Sequence, residues 1–154
     1  MRHLRQFCGL IILLAALTAC AGSSATVAMH FEKKDGTKTP AIHAELATTP
    51  AAHSLGLMYR KSLDNDHAML FIFPAEEERS FWMKNTYVEL DIIFLDAAYK
   101  IVSIVSRAIP LTQTSRKSGK PAKYVLEVTG GSAQEWSITE GDRLVLEDSI
   151  PGTK

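Results

Sequence analysis

Trp82, Lys84, Asn85 and Thr86 place an indole, an ammonium, an amide and a hydroxyl in one short segment. Such a set can hold a carbonyl, a carboxylate or sugar hydroxyls, with the indole as an apolar platform. The structural alternative is that Phe81 and Met83 fill a core while Asn85 and Thr86 bond to backbone in a turn. Arg60, Asp91 and Glu127 form a second group. Asp91 opens an apolar run and Glu127 interrupts one, so each carboxylate must face solvent or be paired. Arg60 or Lys84 is a suitable partner, and an arginine can pair bidentately. As chemistry, Asp91 or Glu127 would act as acid/base with Arg60 or Lys84 on an anionic substrate group, the work of a hydrolase or transferase. As structure, the group would be a buried ion pair fixing a helix onto a sheet, and that reading is favoured. A third group, Met58, Met69 and Met83 with His53 and His67, carries the thioethers and imidazoles that suit Cu(I). Each methionine lies in an apolar context, where gap-filling is the commoner role. No metal site and no cofactor is assigned.

Nucleophilic catalysis has little support. There is no Gly-x-Ser-x-Gly elbow, and Gly130-Gly131 reads as a turn rather than a phosphate loop. The two cysteines, Cys8 and Cys20, both fall near the start of the chain. Arg2, His3 and Arg5 make a basic start, residues 10–17 are an unbroken apolar run, and Leu17-Thr18-Ala19-Cys20 follows. This pattern is that of an exported leader, too short to span a bilayer, ending in a lipoprotein cleavage site. Residues 1–19 are expected to be removed and Cys20 to carry lipid, leaving a mature chain with no free thiol. Two or three acyl chains would hold it to a membrane, whereas one anchors only marginally. Ala21 is not the aspartate that would retain it at an inner membrane, so the periplasmic face of the outer membrane is favoured in a Gram-negative host.

Residues 20–26 read as a short lipidated tether and 27–154 as one domain. Basic and acidic side chains balance at 17 each, which excludes the strong basic excess usual for nucleic-acid binding. A locally basic stretch, residues 115–123, reads as a solvated loop able to lean on anionic lipid or polysaccharide.

The elements that must position these side chains are mostly short strands. Ile42, Ala44 and Leu46 alternate with polar neighbours at the period of a half-buried strand. Thr49-Pro50 predicts a helix start, with Thr as N-cap and Pro in the first turn. Residues 68–73 predict a buried strand stopped by Pro74, residues 76–79 a solvated turn, and residues 80–84 a further short strand. Residues 90–95 and 100–106 predict a hairpin across residues 96–99. Residues 110–121 read as a polar loop, 122–129 as a strand, 131–136 as a short helix and 143–147 as the last strand. The expected fold is mainly β: a small jelly-roll-like sandwich or partly open barrel of about eight strands with one or two short helices.

Phe81-Trp82-Met83-Lys84-Asn85-Thr86 followed by Leu90-Asp91-Ile92-Ile93-Phe94-Leu95-Asp96 is the most specific segment. Gly56-Leu57-Met58-Tyr59-Arg60, Met69-Leu70-Phe71-Ile72-Phe73, Leu126-Glu127 before Gly131, and Gly141-Asp142 stand in matching order and spacing. In these segments the chain, from about residue 40 to 147, resembles the bacterial and archaeal family called domain of unknown function 192. It departs at Ala68, where the family has Gly, and at Glu89, where it has Pro. The resemblance implies a small mainly-β fold and no established activity. The expectation is therefore a membrane-anchored envelope protein, more a binding module than an enzyme. Arg60, Trp82, Lys84, Asn85 and Thr86 are its candidate ligand residues, and a small polar ligand, a glycan or an envelope protein is its partner.

Overall fold

The structure, a computed structural model, describes residues 26–150. The leader, Cys20 and most of the tether lie outside the described residues. Among those described, no helix is long and apolar enough to cross a membrane.

Seven strands form one sheet in the order β5-β4-β6-β3-β2-β1-β7. They are β1 (Thr26–Glu32), β2 (Ile42–Ala47), β3 (His67–Phe81), β4 (Leu90–Leu95), β5 (Ile101–Ala108), β6 (Arg116–Thr129) and β7 (Arg143–Leu146). Two short helices, α1 (Pro50–Leu55) and α2 (Ser132–Glu135), complete the fold. The sheet is curled into a half-barrel. At one end its two edges meet: Lys100 and Arg143 form a bridge, and the backbone nitrogen of Leu144 donates to Tyr99. The fold is mainly β and partly open, as the alternation implies.

Alternation along each strand gives the sheet two apolar faces. The inner face carries Val27, Met29, Phe31, Ile42, Ala44, Leu70, Ile93, Leu126 and Val128. The outer face carries Met69, Phe71, Ile92, Phe94 and Val125, covered by Leu57 and Met83. Both layers are needed to remove a sheet of this size from water, since about 25 cal/mol is gained per Å² of apolar surface buried.

α1 starts as its sequence dictates. The Thr49 hydroxyl accepts from the Ala52 backbone N–H at 3.2 Å, and Pro50 occupies the first turn. The β4–β5 hairpin turns on Asp96, whose carboxylate accepts from the nitrogens of Ala98 and Lys100.

Two expectations fail, and the first of them reduces eight strands to seven. Residues 76–79 are not a turn, and residues 80–84 are not a separate strand. β3 instead runs through Pro74 as far as Phe81. The expected loop at 110–121 is strand from Arg116 onward. These two polar segments pair with each other: Glu77 faces Ala122, Ser80 faces Lys117 and Phe81 faces Arg116, after a register shift beyond Ile72. That irregularity accommodates Pro74, which cannot donate to a regular ladder. The ribbon leaves the main sheet and is largely exposed, so its side chains are polar and read as loop.

Candidate functional site

A cavity of about 310 Å³ lies on the outer face of the sheet. Its floor is Phe71 and Phe73 from β3 with Glu127 from β6. One wall is α1 and its exit, with His53, Gly56, Leu57 and Met58. The opposite wall is the end of the β3 ribbon and the segment after it, with Ser80, Phe81, Trp82 and Thr86. The end of the polar ribbon therefore supplies Ser80 and Phe81 to the groove.

Aromatic packing sets the floor. Phe81 stands edge-on to Phe71 at 5.1 Å and to Phe94 at 5.9 Å. His53 lies 4.4 Å from the Phe73 ring, with its Nε2 2.9 Å from the Ala47 carbonyl. Gly56 ends α1 at φ +48°, and a Cβ there would meet the Phe71 ring at 3.3 Å. Glycine thus lets the helix end descend onto the floor, where the same Cβ position lies 4.0 Å from Glu127 Oε2.

Glu127 is 4% exposed, and among the described residues no donor bonds its carboxyl. It pairs across the sheet with Met69 on one side and Ile92 on the other, so its immediate strand neighbours are apolar. Burial alone pushes its carboxyl up to about 8. At neutral pH it is mostly the neutral acid, able to donate one hydrogen bond into the groove.

Asp91 belongs to a different place. It pairs with Val128, one step along from Glu127, so its side chain points to the inner face. Its Oδ1 accepts from the nitrogens of Arg107 at 2.7 Å and Gly131 at 3.0 Å, and its Oδ2 from Ala133 at 2.8 Å. It fastens the start of α2 and the end of β5 to β4. Arg60 reaches neither carboxylate. It binds Glu45 bidentately at 2.5 and 2.8 Å, an ion pair that raises the guanidinium above its ordinary value through hydrogen bonding. Glu45 shares a cross-strand row with Glu127, separated from it by Met69. The expected Arg60–Asp91–Glu127 group is thus dispersed, because a residue step of one flips a side chain to the other face.

The second expected group is partly assembled. Trp82 and Thr86 line the groove. Lys84 is exposed, with its ammonium 5.5 Å over the Trp82 ring. Asn85, at φ 54°, accepts from the Tyr59 backbone nitrogen and donates its amide to the Tyr59 hydroxyl at 2.9 Å. It ties the exit of α1 to the turn of the facing wall. Met69 and Met83 are buried in the outer apolar layer, while Met58 lines the groove. His67 pairs with Asp66.

The family model described as Uncharacterized ACR, domain of unknown function 192, matches residues 31–146. The chain belongs to this family. A protein of known structure from Sinorhizobium meliloti 1021, described as a candidate transcription regulator, is 34% identical, with a TM-score of 0.77. That likeness covers 80% of this chain and 95% of the other. A protein of unknown function from Novosphingobium aromaticivorans DSM 12444 is 32% identical with a TM-score of 0.74, over 78% of this chain and 84% of its own. No curated protein matches the chain. Within this domain of unknown function 192, the groove joins residues of four segments inside the matched range: residues 56–58, Phe71 with Phe73, Phe81, Trp82 and Thr86, and Glu127.

Proposed function

We propose that this domain is a non-enzymatic binding module of the cell envelope, held to a membrane by a lipidated Cys20. Its groove would take a small ligand that has an apolar body and one polar group. The observation that carries this reading is Glu127: a carboxyl side chain 4% exposed, bonded by no donor among the described residues, and opening onto an aromatic-floored cavity. Burying such a group costs a few kcal/mol when nothing bonds it, and a ligand that bonds it recovers part of that cost. The leader pattern up to Cys20 supports the anchor.

The hydroxyls of the groove are already engaged. The Ser54 hydroxyl donates to the Pro50 carbonyl, the Ser80 hydroxyl bonds Ser115, and the Thr86 hydroxyl donates to the Lys84 carbonyl. Among the described residues these contacts contain no nucleophile–base pair, and Asp91 spends both oxygens on backbone. This favours recognition over a hydrolase or transferase.

A thermal-shift screen of envelope metabolites and glycans tests the reading. A ligand should raise the melting temperature of the wild type and lose that effect in Trp82→Ala. An effect undiminished in Trp82→Ala, or none across the screen, contradicts it.

A further inference from the structure

We infer that the groove selects a small organic ammonium, with an apolar body on the aromatic floor and its N–H groups on the Glu127 carboxyl. The inference rests on the binding reading above and names the ligand class for it.

The lining favours a cation over an anion. It contains one carboxyl and no lysine or arginine side chain. An anionic ligand would meet Glu127 and find no cation in the lining to hold it. An ammonium supplies what Glu127 lacks, a donor with opposite charge.

The rings point the same way. Phe71, Phe73, Phe81 and Trp82 all line the cavity. Two of them already hold a cation of the protein against a ring: the Arg79 guanidinium at 4.1 Å from the Phe73 centroid, and the Lys84 ammonium at 5.5 Å from that of Trp82. Cations are attracted to such ring faces, most strongly where water is excluded. The other charged or titratable groups nearby are accounted for. His53 on the α1 wall holds its Nε2 against the Ala47 carbonyl, and Arg60 with Glu45 is paired beyond Met69. Neither occupies the Glu127 carboxyl.

The test is isothermal titration of the full chain with two pairs of probes of matched shape: phenethylamine against phenethyl alcohol, and 3,3-dimethylbutylamine against neohexyl alcohol. Each pair differs in charge and little else. At least one ammonium should bind ten-fold or more tightly than its neutral mate, and lose that advantage in Glu127→Gln. Binding at pH 7 should also release most of a proton, read from the dependence of the heat on buffer, because the carboxyl titrates near 8 when the groove is empty. Equal binding of charged and neutral probes, unchanged in Glu127→Gln, overturns the ammonium inference and leaves the binding reading standing. Binding of glycans or neutral metabolites alone does the same. Failure of both ammonium probes to bind the wild type overturns the inference as well.

Discussion

Asp91 and Glu127, carboxylates on adjacent antiparallel strands, sit one register step apart and face opposite sides of the sheet. That single step gives them unrelated roles. Asp91, fully buried, meets three backbone N–H donors. Glu127, nearly as buried, meets none among the described residues and opens onto the groove.

Asp91→Ala should be strongly destabilising. It strands the N–H groups of Arg107, Gly131 and Ala133, each with a desolvation penalty of about 1–3 kcal/mol when left buried without an acceptor. Urea denaturation should show a loss of about 3 kcal/mol or more, with Asp91→Asn intermediate. A loss below about 1 kcal/mol contradicts the fastening role.

Glu127 should make the protein less stable as pH rises. Its folded carboxyl titrates near 8 against an ordinary 4.5, so the folded state binds the proton more tightly than the unfolded state. The contribution is fully present below about 4.5 and is lost as pH climbs toward 8. Within that window the slope approaches about 1.4 kcal/mol per pH unit. Glu127→Gln should remove this slope, so the difference between wild type and variant in chemical denaturation isolates it. Parallel stability profiles for the two proteins would contradict the prediction.

The Arg60–Glu45 pair should be worth a modest amount, because the guanidinium side chain is 36% exposed. Its bidentate geometry favours a coupling of about 1 kcal/mol in a double-mutant cycle. Arg60→Lys should recover little of it, since an ammonium lacks the planar fork. Full recovery in lysine would show that charge alone matters.

Cys20→Ser should abolish metabolic lipid labelling and release the protein from membranes. Persistent membrane partitioning with unchanged processing contradicts the anchor.

Much of this architecture is legible in the chain because local chemistry decides it. Thr49-Pro50 caps α1, Asp96 turns the β4–β5 hairpin, and Ile42, Ala44 and Leu46 alternate as a half-buried strand should. The ribbon of residues 77–81 and 116–122 is not legible, because an exposed two-stranded arm has no apolar face to impose a period. The groove is half legible. Trp82, Thr86 and Glu127 stand out by residue type. The facing α1 wall, with His53, Gly56 and Leu57, becomes visible only once the chain crosses back over the sheet. The partner of Arg60 is illegible for the same reason: Glu45 lies on β2, where it alternates with Ala44 and Leu46 and carries no mark of a partner 15 residues away.

The most direct measurement is the pH titration of the Glu127 side-chain carboxyl carbon by NMR in the full chain, with and without phenethylamine. The midpoint should lie near 8 in the empty groove and fall when the ammonium is added. A midpoint near the ordinary 4.5, unmoved by the probe, would contradict the account of an unpartnered acid at the floor of a binding groove.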